Sequence, residues 1–227
     1  MSKYYMPRLF KFLRQLDANN DRQWFHAHKA EYDDLRAAWI EDLDRLISLM
    51  SLYEPGMKTQ SGREATFRIY RDTRFSPDKS PYKRHFSAVL SPFGRKTTMA
   101  ADYLHVGLDG KYTSCGFYGG LWMPEAPVLK KVRKAIIDNI EEFEEIIHTP
   151  ALVAVSGPQL IGEQLKTIPK GWDRNHPHAD LLRYKEFGKE VMASESDFAS
   201  PSWVDRAAEI FHLFKPLNDF LNYSITE

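Results

Sequence analysis

Between Arg68 and Lys83 the chain reads Arg-Ile-Tyr-Arg-Asp-Thr-Arg-Phe-Ser-Pro-Asp-Lys-Ser-Pro-Tyr-Lys, sixteen residues with almost no aliphatic filler. From Gly62 to His85 seven cations (Arg63, Arg68, Arg71, Arg74, Lys79, Lys83, Arg84) face three carboxylates (Glu64, Asp72, Asp78). Arginine offers a planar donor fork that matches phosphate and carboxylate, and lysine adds a point charge. Ser76-Pro77 and Ser80-Pro81 restrict the backbone, so the charges need not be ordered afresh when a ligand arrives. That is the chemistry of holding an anion. The same residues allow another reading: Asp72 and Asp78 pair with the arginines, and the segment is a structural salt-bridge network.

Alternation supplies further candidates. With Phe67, Ile69, Leu104 and Val106 turned to the core, Arg68, Tyr70, Tyr103 and His105 share the opposite sheet face, which Tyr112, Ser114 and Tyr118 join from a paired strand. Histidine titrates near neutrality, so His105 is the proton-transfer candidate. The expected ligand-binding set is Arg68, Tyr70, Arg71, Asp72, Arg74, Lys79, Tyr82, Lys83 and Tyr103. Lys170 approaches from a second proline-stiffened loop, Lys166-Thr-Ile-Pro-Lys-Gly-Trp172. The expected partner is a small anionic ligand, phosphorylated or otherwise, with phosphoester or nucleotide chemistry as the class if the protein is an enzyme. The alternatives are a non-catalytic nucleic-acid or nucleotide module, since Tyr70, Phe75 and Tyr82 interleave with the cations, and a structural or protein-interaction domain.

Other motifs carry less. His26 and His28 stand two apart, about 200° around a helix, and do not face one metal. His176-Pro-His178 lies in a loop without zinc-type spacing around it, so no metal is expected; the sequence leaves the cofactor unknown. The single cysteine, Cys115, reads as a packed thiol on a strand and leaves no partner for a disulfide. Asn20 and Asp21 read as a helix cap, with Trp24 and Phe25 in the core.

These residues need a scaffold. The chain has 227 residues, 43% hydrophobic and 27% charged, with Lys plus Arg and Asp plus Glu at 31 each. Charge neutrality argues against broad nucleic-acid coating. No signal-type leader and no run of membrane-spanning length is visible, so a cytoplasmic protein without membrane contact is expected. Helical spacing predicts helices over 7–18, from Arg22 to about Leu52, over about 124–148, and from Ser200 to about Leu221. Period two predicts strands over about 64–70, 85–90, 100–108 and 111–118, with a tight turn at Asp109-Gly110, and a further strand at 183–192. The fold class is α+β: an antiparallel sheet of about four to six strands packed on one face by N- and C-terminal helices, as one domain over 1–227.

On Phe10–Leu16, Asn19-Asn20, Arg22, Trp24-Phe25, Lys29, Tyr32, the Arg68–Lys83 segment and Tyr103-Leu-His105, the chain resembles the uncharacterised, mostly bacterial family known as domain of unknown function 2461. The likeness continues through Gly116–Tyr118, Leu165-Lys166, Pro169-Lys-Gly171, His176-Pro177 and Leu181-Leu182. It implies a single-domain unit in which the two loops recur together. It brings no established activity, substrate or catalytic residue.

Overall fold

A computed structural model describes residues 4–108 and 115–227. The first helices are α1 (Met6–Ala18), α2 (Arg22–Ala27) and α3 (Lys29–Met50). In α1, Pro7 sits in the first turn, where a missing N–H costs nothing, and Leu9, Phe10, Leu13 and Leu16 are buried. The long helix expected from Arg22 is two helices, because the chain turns at His28. There the imidazole stacks on Trp24 at 3.9 Å and Nδ1 reaches the Trp24 carbonyl, 2.8 Å away. A side chain that bonds the carbonyl four residues back competes with the helix ladder. The Asn19 amide does the same to Gln15 at the end of α1.

A short helix α4 (Gly62–Ala65) opens on a capping box between Ser61 and Glu64. The sheet is four-stranded and antiparallel in the order β1 (His85–Leu90), β2 (Ala101–Gly107), β3 (Cys115–Leu121), β4 (Phe187–Ala193). With the helices this is an α+β fold. Residues 64–70 form no full strand. Thr66 bridges Ala88 and Tyr70 bridges Tyr82, with the register shifting between the two bridges. Period two predicts the extension here but not the interrupted pairing. The Asp109-Gly110 turn, Tyr112 and Ser114 lie outside the described residues.

Between β3 and β4 run α5 (Ala126–Asp138), α6 (Ile140–Ile147), α7 (Pro150–Ser156) and α8 (Ala179–Arg183), and α9 (Trp203–Thr226) closes the chain. The single helix expected over 124–148 divides at Asn139, whose amide donates to the Ala135 carbonyl at 3.0 Å. That is the device seen at Asn19.

By contacts, the described residues fall into two units. The first takes the described parts of Met1–Arg95, Tyr103–Phe117 and Met192–Glu209. Its core is aromatic: Trp39 and Trp203 stack at 5.9 Å, Trp39 meets the edge of Phe86, and Phe117 stacks on Phe198. The Trp39 indole N–H donates to Thr66 Oγ1 at 2.9 Å, so the one polar atom of this buried ring is satisfied. Cys115 is fully buried here.

The second unit takes Lys96–Asp102, Tyr118–Val191 and Ile210–Glu227. Leu121, Val132, Ile136, Phe143, Phe187, Leu217 and Leu221 are among its core residues. Gly119 and Gly120 are needed where β3 passes its neighbours. A Cβ on Gly119 would fall 2.5 Å from Phe214, and one on Gly120, at φ +148°, would fall 2.2 Å from the Phe187 carbonyl oxygen. Among the described residues no helix is long and apolar enough to cross a membrane.

Candidate functional site

The predicted site residues separate into three groups. The first is the loop from Arg71 to Ser80, where the cations are satisfied internally. Arg71 Nη1 donates to Asp78 Oδ2 at 2.7 Å, to the Ser80 carbonyl at 3.0 Å and to the Ser80 hydroxyl, and Nη2 reaches Ser76 Oγ at 3.3 Å. Asp78 also accepts from the Ser80 backbone N–H and hydroxyl. Those two bonds, followed by Arg71, hold its carboxyl well below the usual carboxylate range. Arg74 grips Asp72, and hydrogen bonds from its side chain and backbone hold Asp72 at about 2. The Lys79 ammonium donates to the Thr73 carbonyl at 3.0 Å. Arg71 and Arg74 are thus ion-paired within the loop, with Asp78 and Asp72, and Lys79 is bonded to a backbone carbonyl. Phe75 stands 94% exposed at the tip, with the Arg74 guanidinium 5.7 Å from its ring centre.

The second group lies against α2. Tyr70 and Tyr82 meet Phe25: Phe25 and Tyr82 stack at 4.0 Å and 19°, and Tyr70 lies 5.5 Å from Tyr82. Tyr70 thus faces α2 and not the side of Tyr103 and His105, which corrects the expected alternation. Asn20 is not the cap of α2. Asp21 performs that task, accepting from the Trp24 N–H at 2.9 Å. Asn20 clamps the Tyr82 backbone, donating to its carbonyl and accepting from its N–H, each at 3.0 Å. These rings line a cavity of about 620 Å³ together with Arg22, His26, Lys29 and Arg71.

The third group is built on β1, β2 and the segment that bridges β1. Phe67, expected in the core, is only half-buried and turns its ring to Tyr103, 6.4 Å away. Two cations lie over that ring, Lys83 Nζ at 4.9 Å and the Arg95 guanidinium at 5.1 Å. Two cations on one quadrupole repel each other unless an anion lies near. Burial lowers the Lys83 pKa, and the charges of Arg68 and Arg95 push the same way. None of Arg68, Lys83 or Arg95 has a carboxylate within ion-pair distance among the described residues. Arg95 Nη1 donates to the Thr66 carbonyl at 2.6 Å, which holds it in place without neutralising it.

The imidazoles of His85 and His105 lie 4.2 Å apart, both within reach of the Lys83 charge. Burial, then repulsion from His105, Lys83 and Arg71, pushes His85 down to about 3. Burial and the Lys83 charge push His105 down to about 4. Both rings are neutral at pH 7. Tyr103 Oη lies 3.0 Å from His105 Nδ1. Burial raises the Tyr103 pKa, opposed by a hydrogen bond from Ser87. Either atom can be the donor of the Tyr103–His105 bond, according to which ring nitrogen of His105 carries the proton. His105 Nε2 is shut off from solvent and has no hydrogen-bond partner among the described residues.

Of the predicted set, Arg68, Lys83, Tyr103 and His105 meet in this group. Lys170 belongs to the second unit, exposed beside Gly171, whose φ is +95°. His85, Phe67 and Arg95 were not predicted. His85 had a signal, since it precedes the Phe86, Ala88, Leu90 alternation and so falls on the face of Ser87. Arg95 follows the Pro92-Phe-Gly94 turn and carries no local mark of its destination.

No curated protein and no solved structure matches the chain. A family model does match, over residues 8–220, taking in all three groups of side chains, and the chain belongs to the family described as Conserved hypothetical protein (DUF2461).

Proposed function

We propose that the protein binds a small phosphate-like anion on the β1–β2 face, held by Arg68, Lys83 and Arg95. The observation that carries this reading is the pair of unneutralised cations, Lys83 and Arg95, over the Phe67 ring, with the Arg68 charge acting on Lys83 and two neutral imidazoles nearby. An arriving anion relieves the repulsion among them, so binding energy is available before any new contact is counted. Tyr103, 3.0 Å from His105 Nδ1, positions that imidazole. A proton-transfer role for His105 requires the bound anion to reach its buried ring. The reading is therefore of a binding site first and of phosphoester chemistry second.

Thermal melting against phosphate, sugar phosphates, nucleotides and short oligonucleotides tests it, because a ligand of the folded state alone raises the melting temperature. Wild type is expected to be stabilised by one phosphate class and Lys83→Met not to be. No stabilisation by any of them sinks the proposal.

One observation favours the nucleic-acid module as a second reading: the exposed Phe75 with Arg74 over it, a pairing suited to base stacking. Oligonucleotide binding that weakens steeply with salt and is lost in Phe75→Ala would select it.

A further inference from the structure

The cavity beside α2 is separate in its lining from the anion site: Lys83, Arg95 and His105 do not touch it. Its volume of about 620 Å³ falls within the range of small-molecule sites, about 300–1,000 Å³. One wall is aromatic. Phe25 and Tyr82 are buried and stacked, and Tyr70 presents its ring at 65° to Phe25 while 48% exposed. The wall is rigid before any ligand arrives, because Asn20 fixes the Tyr82 backbone from both sides and the Arg71 N–H donates to the Pro81 carbonyl at 2.9 Å.

The rest of the lining is Arg22, His26, Lys29 and Arg71 with Thr73 and Pro81, and among the described residues no acidic side chain lines the cavity. Its cations are not equivalent. Lys29 is ion-paired with Asp33, and Arg71 with Asp78. Arg22 is exposed and has no ion pair among the described residues, and His26 is exposed beside it on α2. The hydroxyls of Tyr70 and Tyr82 make no hydrogen bond among the described residues, so both are open to a polar substituent. A ring wall facing a free guanidinium recognises a planar ring that carries a negative group. The ring stacks or meets edges with Tyr70 and Tyr82, and the charge pairs with Arg22.

We propose that this cavity binds an aromatic anion, its ring against Tyr70 and Tyr82 and its acidic group on Arg22. The chemistry is shared by aryl carboxylates, aryl phosphates and the base-plus-phosphate of a nucleotide. Calorimetric titration of the full chain with benzoate, phenyl phosphate, a nucleoside monophosphate, benzamide and inorganic phosphate separates these sources. At least one aromatic anion is expected to bind in a one-to-one, saturable manner. Arg22→Gln should weaken it about tenfold or more, the loss expected for one charge-assisted contact, and Tyr70→Ala should weaken it comparably. Each titration is repeated in Lys83→Met, where binding of phosphate compounds at the β1–β2 face is removed and one-to-one binding of the aromatic anion, sensitive to Arg22→Gln, should remain. Binding by the nucleotide alone assigns the ring to a nucleobase, and binding by benzoate or phenyl phosphate assigns it to a simple aryl acid. Both side chains are substantially exposed, so the variants should fold, and a melt of each checks this. Should Tyr70→Ala unfold, Arg22→Gln decides alone. The proposal is overturned if no aromatic anion binds at millimolar concentration, if benzamide binds as tightly as benzoate, or if Arg22→Gln binds like wild type.

Discussion

In the loop from Arg71 to Ser80 both arginines have a carboxylate within ion-pair distance. A few residues further on, Lys83 has none among the described residues and shares the Phe67 ring with Arg95. The residue types are alike and the neighbourhoods opposite. The loop places Asp72, Asp78, Ser76 and Ser80 within reach of their own arginines, so local turn chemistry neutralises the charge. The face brings Lys83 and Arg95, from two separate segments, onto one ring, with the Arg68 charge acting on Lys83, and supplies imidazoles in place of carboxylates. A dense run of arginines is thus no guide to a binding site by itself. The guide is which cations remain unneutralised once the chain has folded.

Acid should separate the two regions most strongly. A histidine whose folded pKa lies below its unfolded value contributes stability that is full above the unfolded pKa, about 6.5, and is lost as pH falls toward the folded one. His85 at about 3 and His105 at about 4 then each cost about 2 kcal/mol between pH 7 and 5. The loop carboxylates run the other way. Their depressed pKa values give stability present above about 3.9 and lost only below it, so at pH 5 the loop is unaffected. Denaturant melts at pH 7 and 5 should show the loss in wild type and about half of it in His85→Phe. An equal loss in both would remove His85 from the account.

Arg71→Ala comes next. Its guanidinium is mostly buried and satisfies Asp78, Ser80 and Ser76 together. Removing it should cost about 2 kcal/mol, since the partners lose a charged donor. The anion-induced rise in melting temperature should survive in this variant. If that rise vanished while the protein stayed folded, the loop would belong to the site.

Lys83→Met should have a smaller effect of opposite sign. It deletes a partly buried cation that Arg68 and Arg95 repel and keeps the aliphatic stem on Phe67. Stability should be unchanged or rise by about 0.5–1 kcal/mol while anion binding is lost, the trade expected where a site holds unfavourable charge for function. A clear fall in melting temperature would show that Lys83 is structural.

Much of this scaffold was legible because β2 is a fully paired strand. Period two correctly sorts Leu104 and Val106 inward from Tyr103 and His105. It fails at Phe67 and Tyr70 because two isolated bridges with a register shift do not impose a strict pleat. Helical periodicity located the long helices but not their interruptions at His28 and Asn139. Those are set by a side chain bonding the carbonyl four residues back, an option that a count of apolar positions does not weigh. Asp72 and Asp78 were visible as partners for the loop arginines. That Arg71 and Arg74 would take them, and that Lys83 would have no carboxylate, is a three-dimensional outcome, as is the arrival of Arg95 at Phe67.

The smallest expected effect is the most discriminating one. By geometry the Arg74–Asp72 pair looks strong, with two nitrogens on one carboxylate and a shortest distance of 2.7 Å. Both side chains are half or more exposed, and water screens such a pair almost completely. Arg74→Ala should therefore leave the melting temperature within about a degree of wild type and leave phosphate binding intact. Its one distinctive partner is Phe75, held 5.7 Å away at the loop tip. If Arg74→Ala and Phe75→Ala each weaken binding of a short single-stranded oligonucleotide while stability is unchanged, the tip of the loop engages nucleic acid even though its charges look neutralised. If neither moves any ligand, the loop is a brace whose charges end within itself, and recognition lies with the cations that have no carboxylate.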